Sequence, residues 1–236
     1  MLGVHVAKNS KILDAPNKKR KNLLDAIKLD TKLLNLNTIQ IFTYGPRNKK
    51  QNNIEYTSVK KYCKDNNIYI VVHSSYMTSS IWNITQQNKN SLISKQSIEH
   101  LSDQLISCTK IGAHGLVIHL PKKTPLSIVE TLKILEPELI KINIPIILEI
   151  ESCKPSDKTY ETPNKLNNLC RLINEYNISN KIWSLCIDTA HLWASNIDIR
   201  TNINVDKWLN KFEYINKISL ICNWIYGSVC AVFRVP

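Results

Sequence analysis

The sequence predicts an α/β fold, a TIM-type (β/α) barrel that is incomplete, with about seven of the usual eight strand–helix units. Short apolar runs alternate along the chain with longer amphipathic stretches, which is the pattern of βαβ units around a parallel sheet. Runs such as Ile70-Val71-Val72 are continuously apolar, as expected for parallel strands buried on both faces. A length of 236 residues suits one such barrel. A doubly wound sheet is the alternative, because hydrophobic periodicity does not distinguish the two folds.

The apolar runs define the predicted strands, and the amphipathic stretches define the predicted helices. The strands are residues 1–6, 38–44, 68–73, 115–120, 145–151, 182–188 and 217–222. The helices are residues 20–34, 57–65, 92–111, 126–141, 163–176 and 205–212. Gly45-Pro46 is a turn signal after the second strand, and Gly112 is a stop signal for the third helix. We therefore expect one barrel domain over residues 1–221 and a divergent tail over residues 222–236.

Charge and cysteine usage narrow the class of protein. The formal net charge of +12 favours a polyanionic partner such as nucleic acid, although many of the lysines are expected simply to be solvated. The seven cysteines are scattered without a C-x-x-C pair, which argues against a disulfide framework and favours a reducing, intracellular compartment. No signal peptide and no apolar stretch long enough to span a membrane is present, so we expect no membrane partner.

Polar residues with metal-binding side chains end, or nearly end, four successive predicted strands. They are His73, His119, Glu151 and Asp188, and His191 follows on the next turn. Because the carboxyl ends of barrel strands meet at one face, these side chains are expected to converge. Imidazole nitrogen and carboxylate oxygen suit zinc and similar divalent metals. A lone histidine at a strand end is usually structural, so it is the combination that predicts a metal site.

The other histidines carry a weaker signal. His5 ends the first short run and is expected near the site, but not as a ligand. His100 and His114 fall in a helical stretch and in a connection, and we interpret both as structural.

Five motifs, in order along residues 1–221, resemble those of the endonuclease IV family of zinc-dependent apurinic/apyrimidinic (AP) endonucleases. Cys186-Ile187-Asp188-Thr189-Ala190-His191 is similar to the family's C-x-D-T-x-H signature, and Val72-His73-Ser74-Ser75-Tyr76 to its H-x-S-Y loop. Gln40-Ile41-Phe42-Thr43 with Pro46-Arg47 resembles the Q-x-F-x-x-x-P-R loop. Leu2-Gly3-Val4-His5-Val6 and Gly115-Leu116-Val117-Ile118-His119 resemble two of its strands.

The resemblance implies a complete eight-stranded barrel and a site with three zinc ions. His73 and His119 would hold the first zinc, Glu151 would bridge the first two, Asp188 would bind the second, and His191 the third. It implies that Glu151 and Asp188 are central to catalysis, with Glu151 acting as a bridge rather than as a free base.

Two further points qualify the implied site. Glu149 is the alternative to Glu151 as the bridge, because alternate residues of a strand share a face. The resemblance also implies that Arg47, Tyr76 and the neighbouring Met77 enter the DNA base stack at the lesion.

The pattern departs from the family after the seventh predicted strand. Residues 221–224 read Ile-Cys-Asn-Trp where the family has an H-x-N-D motif, no later D-x-H motif occurs, and no acidic residue follows Glu213. We therefore expect fewer zinc ligands than the family has, and a chain shortened by a frameshift, an intron or a misplaced gene end. A genuine shortening is the alternative expectation.

The resulting functional prediction is a base-excision repair enzyme that cuts duplex DNA 5′ to an abasic site and leaves a 3′-hydroxyl. We expect a monomer, located in the cytoplasm, or in the nucleus or a viral factory for a eukaryotic or viral source. Two alternatives stay open, namely an inactive binder of abasic DNA and a metal-dependent sugar isomerase or epimerase with a barrel of the same type. Salt-sensitive binding to duplex DNA would distinguish the repair enzyme and the inactive binder from the sugar enzyme.

Overall fold

Seven parallel strands form one sheet in the computed structural model, which describes residues 3–6, 22–35, 37–47, 51–152, 154–156, 158–214 and 218–220. They are β1 (Gly3–His5), β2 (Thr38–Phe42), β3 (Tyr69–His73), β4 (Leu116–His119), β5 (Ile146–Glu149), β6 (Trp183–Ile187) and β7 (Ile218–Leu220). Each strand is hydrogen-bonded to its neighbours in the chain, in the order β1 to β7. This order winds in one direction, as in a barrel, whereas a doubly wound sheet reverses its order near the middle. The predicted fold class is confirmed.

The helices connect successive strands. They are α1 (Leu23–Leu34), α2 (Tyr56–Asp65), α3 (Leu92–Ile111), α4 (Pro125–Ile142), α5 (Pro163–Glu175), α6 (Thr189–Ala194) and α7 (Asn202–Leu209). The six predicted helices agree with these to within a few residues. Residues 20 and 21 of the first predicted helix lie outside the described residues, and so does the predicted tail over residues 222–236. A 3₁₀ helix (Tyr76–Asn83) and the short α6 were not predicted, because each is too short to show a helical period.

Local signals explain where the long helices begin and end. The side chain of Ser91 accepts the backbone N–H of Ser94 at the start of α3, and Thr124 does the same for Ser127 at the start of α4. Gly112 ends α3 at a φ of 73°, a left-handed conformation that glycine adopts without a Cβ clash. The predicted stop at Gly112 is therefore confirmed.

Two sets of buried apolar side chains lie on opposite faces of the sheet. The larger set packs between the strands and the surrounding helices, with Ile70 and Val72 of β3 among its members. The smaller set points the other way, into the barrel, and consists of Val71, Val117, Ile147 and Cys186. Alternation along each strand separates the two sets. Directly above the smaller set, two residues further along each chain segment, stand His73, His119, Glu149 and Asp188.

No described helix is long and apolar enough to cross a membrane. Cys63 and Cys108 are buried in the helix-facing core, where burial raises the pKa of both thiols, to about 12 for Cys63.

Candidate metal centre

Inward-facing residues at the carboxyl ends of β3, β4, β5 and β6 converge at the mouth of the barrel. His119 and Glu149 are register partners on adjacent strands, so their side chains leave the sheet side by side. His73 ends β3, and Asp188 directly follows β6. Each continues the row begun by an apolar interior residue, because residues two apart on a strand share a face. The site residues therefore lie directly next to the apolar cluster inside the barrel.

Two groups of potential ligands share one carboxylate. The first group is His73, His119 and Glu149, and the second is Glu149, Asp188 and His191. In each group the ligand atoms lie within 4.8 Å of one another. Glu149 and Asp188 are almost completely buried, at 2% and 1% exposure. The arrangement suits a pair of metal ions bridged by Glu149.

In the group formed by His73, His119 and Glu149, the possible ligand atoms point toward one another and lie close together. Oε2 of Glu149 lies 3.4 Å from Nε2 of His73 and 3.6 Å from Nε2 of His119. The two Nε2 atoms are 3.2 Å apart. Buried Oε2 has no hydrogen-bond partner, which is costly for a carboxylate oxygen unless a cation satisfies it.

Backbone carbonyl groups fix which ring nitrogen of two histidines carries the proton in the neutral ring. Nδ1 of His73 donates to the carbonyl oxygen of Ser74 at 2.8 Å, and Nδ1 of His191 donates to that of Ile150 at 2.6 Å. In a neutral imidazole the other nitrogen, Nε2, then carries a lone pair. Such a bond from the distal ring nitrogen orients histidine ligands in metal sites. The donor set therefore fits a divalent metal that prefers nitrogen and oxygen ligands, such as zinc.

Asp188 has a structural role as well. Its Oδ1 caps the first turn of α6 by accepting the backbone N–H groups of Ala190, at 2.7 Å, and His191, at 3.4 Å. Its Oδ2 lies 3.9 Å from Nε2 of His191. The cap ties the orientation of this carboxylate to that of the histidine three residues later.

The charges of the site depend on one another. Burial raises the pKa of Glu149, but the close histidines, first His73 and then His119 and His191, more than reverse this and hold the pKa below its ordinary value. Burial lowers the pKa of His119 to about 4, against the attraction of Glu149. His119 is therefore neutral near pH 7, which is the form that binds metal.

The structure brings together His73, His119, Asp188 and His191, four of the five predicted ligands, together with Glu149, the alternative bridge. Glu151 belongs to neither group among the described residues. It lies one inward-facing position beyond Glu149, half-buried, and lines a cavity of about 450 Å³ beside His73 and His119. The geometry thus favours Glu149 over Glu151 as the bridge.

Sequence reasoning missed the side chains that support the site from behind. The indole N–H of Trp82 donates to the carbonyl oxygen of His119 at 3.0 Å. Lys123 lines the same cavity, and its ammonium group donates to the carbonyl oxygen of Trp82 at 2.5 Å. A tryptophan in a short 3₁₀ helix carries no sequence signal for this contact.

The remaining histidines lie as interpreted from the sequence. His5 is beside the site, where Nδ1 lies 3.3 Å from Oε1 of Gln40, and it belongs to neither ligand group among the described residues. Burial lowers its pKa. His100 is buried on α3, and His114 stacks on Tyr69 in the connection before β4, at the opposite end of the strands.

The three residues predicted to enter DNA are exposed near the site. Tyr76 and Met77 open the 3₁₀ helix after β3, with exposures of 46% and 44%, and the ring of Tyr76 lies 5.6 Å from that of His119. Arg47 is exposed in the loop after β2. The two loops touch, because the backbone N–H of Tyr76 donates to the carbonyl oxygen of Pro46 at 2.8 Å.

Residues 30–220 match the model of a protein family described as a xylose isomerase-like TIM barrel. The chain belongs to this family. The names of its curated relatives agree with the resemblance predicted from the sequence. It is 29% identical over 181 residues to the probable AP endonuclease of African swine fever virus, Badajoz 1971 Vero-adapted strain, covering 76% of this chain and 56% of the relative. It is 29% identical over 195 residues to the probable endonuclease 4 of Mycoplasma mobile, covering 78% and 64%.

The chain spans about half the length of the viral relatives that it matches. Among solved structures, AsfvAP:AG aligns with a TM-score of 0.71 and 24% identity, over 93% of this chain and 72% of that one. Endonuclease IV from Thermus thermophilus aligns at 0.60 and 16%, over 93% and 74%. An L-ribulose 3-epimerase aligns at 0.61 and 12%, over 98% and 73%. At these identities the alignments establish the shared barrel fold.

Proposed function

We propose that this chain carries the catalytic face of a zinc-dependent AP endonuclease, which hydrolyses the phosphodiester 5′ to an abasic site in duplex DNA. The observation that carries the proposal is the pair of ligand groups sharing buried Glu149, next to two loops with exposed Arg47 and Tyr76. The names of the curated relatives support the same reaction.

Within this proposal, His73, His119 and Glu149 would hold one metal ion, and Glu149, Asp188 and His191 would hold a second. Glu149 would take the role first expected of Glu151, and His191 would bind the second ion rather than a third. Bound zinc supplies Lewis acidity, which activates water near neutral pH and neutralises charge on phosphate oxygens.

The protein's own contribution is orientation. The carbonyl groups of Ser74 and Ile150 hold two histidine rings, and the α6 cap holds Asp188, so the ligands keep their positions without reorganisation. Glu151 lines the cavity beside His73 and His119, and in this proposal it would contact the substrate.

The loops would recognise the lesion. Tyr76 and Met77 present large side chains beside the ligands, and Arg47 adds a positive charge. A missing base lowers the cost of unstacking, and inserted side chains fill the gap. The net charge of +12 supports attraction to duplex DNA, which is our proposed partner for a monomeric, intracellular protein.

A sugar epimerase is the second candidate, because two epimerase structures share the barrel with a TM-score of 0.61, against 0.60 for the Thermus endonuclease. A small sugar, however, has no need of exposed aromatic and basic loop residues or of a strongly basic surface. The nuclease therefore accounts for more of the molecule.

Incision of a duplex oligonucleotide with one tetrahydrofuran abasic analogue tests the proposal, using the 236-residue chain loaded with zinc. This analogue resists β-elimination, so a cut reports hydrolysis. We expect one cut, 5′ to the analogue, which is lost in His119→Ala. His114→Ala is the matched control, because this histidine lies at the opposite end of the strands and should retain cutting.

Each other outcome has a defined meaning. A folded, zinc-loaded chain that binds the abasic duplex without cutting it would be the inactive binder. Epimerisation of a ketose by a chain without affinity for DNA would overturn the proposal in favour of the sugar enzyme. Equal cutting by wild type and His119→Ala would show that the activity does not come from this site.

A further inference from the structure

One face of α3 is polar although it is buried. Ser97, His100, Gln104 and Ser107 follow one another at intervals of three, four and three residues, which places them on one face of the helix. All four are less than 7% exposed. The apolar face of the same helix packs against the sheet through Leu101, Leu105, Cys108 and Ile111. We call the four polar residues the α3 polar stripe.

Gln104 is at the centre of the stripe and is fully buried. Its Oε1 accepts the backbone N–H of Ser75 at 2.9 Å. A backbone N–H can only donate, so this bond fixes the orientation of the amide group. The amide nitrogen then faces the hydroxyl of Thr78, to which it donates, and lies 3.2 Å from Nε2 of His100. One side chain thus satisfies groups on both sides of Tyr76 and Met77.

The other members of the stripe reach the same two loops. Ser80 in the 3₁₀ helix donates its hydroxyl to that of Ser97 at 3.0 Å. Gln51, in the segment after β2, donates to the hydroxyl of Ser107 at 3.0 Å. The ring of Tyr44, in the loop after β2, meets that of His100 edge-on, with centroids 5.6 Å apart.

The two loops are also bonded to each other. The carbonyl oxygen of Pro46 accepts the backbone N–H of Tyr76 at 2.8 Å and the hydroxyl of Ser75 at 3.3 Å. Pro46 is the neighbour of Arg47, so this contact links the segments that carry the exposed residues. Hydrogen bonds therefore connect the stripe, the loop that carries Tyr76 and the loop that carries Arg47 into one unit.

We propose that the α3 polar stripe sets the relative position of the two loops that meet abasic DNA, and that Gln104 is the positioning residue at its centre. If the loop that carries Tyr76 shifted, buried donors and acceptors of Ser75, Thr78 and Gln104 would lose their partners, which strongly disfavours other positions of this loop. If the loop that carries Arg47 shifted, the bonds to the Pro46 carbonyl and the bond from Gln51 to Ser107 would be lost. Among the described residues, no member of the stripe belongs to either ligand group. The DNA part of this inference rests on the proposed function.

Gln104→Leu tests the positioning role, because leucine has a similar volume and makes none of the hydrogen bonds. Ser102→Ala is the matched control, since this α3 hydroxyl bonds Glu138 on α4 rather than either loop. Dissociation constants would be measured for the zinc-loaded full chain with a tetrahydrofuran-containing duplex and with an intact duplex.

For Gln104→Leu we expect the preference for the abasic duplex to fall about tenfold, which is the order of one or two net hydrogen bonds. Zinc content and binding to intact duplex should stay close to wild type. A purely structural role would instead lower all three together. For Ser102→Ala the preference should be unchanged.

Hydrogen exchange of residues 74–80 gives a readout that needs no DNA. Gln104→Leu should speed exchange there without speeding it in β5, and Thr78→Val, which removes one partner from the loop side, should do the same in part. If wild type binds no DNA but this exchange pattern appears, the positioning role stands and the proposed function fails. Unchanged exchange and unchanged preference in the folded variants would overturn the positioning role. If Gln104→Leu does not fold, Thr78→Val decides by the same two measurements.

Discussion

Replacing Glu149 by glutamine is the most informative single change in this molecule. Glutamine keeps the shape of the side chain but removes its charge. Oε2 of Glu149 lies 3.4 Å from Nε2 of His73, and Glu149 belongs to both ligand groups. If the proposed pair of metal ions shares Glu149, the substitution should weaken both sites at once.

The magnitude follows from the charge that is lost. Two unit charges about 4 Å apart attract each other by about 4 kcal/mol at an effective dielectric constant of about 20. A dication would feel more, while the carboxylate no longer has to be desolvated, and the two effects partly cancel. We expect metal affinity to fall by about a hundredfold, or roughly 3 kcal/mol.

The assay is zinc content by mass spectrometry after dialysis against graded chelator concentrations, together with incision of the abasic duplex. Glu151→Gln is the control, because this residue lines the cavity one inward-facing position beyond Glu149 and should retain its zinc. Retention of zinc by Glu149→Gln, with loss in Glu151→Gln, would refute the reasoning and assign the bridge to Glu151.

Three further predictions test the surroundings of the site. Gly115→Ala should lower the free energy of unfolding, measured by urea denaturation, by about 1–3 kcal/mol. The reason is that a Cβ at this position would lie 2.7 Å from Cδ1 of Ile147. An unchanged unfolding midpoint would contradict this packing. Cys63 should resist iodoacetamide at pH 8 in the folded chain and react after denaturation, because its pKa is raised to about 12 and the thiolate is the reactive form; mass spectrometry of the alkylated peptides checks this. Trp82→Phe should weaken zinc binding about tenfold or more through the lost bond to the His119 carbonyl, measured by chelator competition, and equal affinity would show that this support is dispensable.

Much of the site followed from strand periodicity. His73, His119 and Asp188 end strands or directly follow them, and parallel strands bring such positions to one edge. His191 could be added because the turn after β6 carries it back over the same edge. The same reasoning chose Glu151 because it stood at the end of the apolar run 145–151, whereas β5 ends at Glu149. The register between His119 and Glu149 brings the carboxylate of Glu149 beside the histidines, and the apolar run alone does not contain that register.

The sequence by itself determined the alternation of strands and helices and the residue types that end each strand, and it favoured a barrel over a doubly wound sheet. These depend on local periodicity and on which residue types end each strand, both of which are written in one dimension. The tertiary structure decided the order of the sheet, the proximity of Glu149 to three histidines, the ring orientations of His73 and His191, and the bonds from Gln104 to the loop that carries Tyr76. These depend on strand register and on contacts between residues far apart in the chain. Interatomic distances of this kind arise only when the whole sheet and its helices pack together.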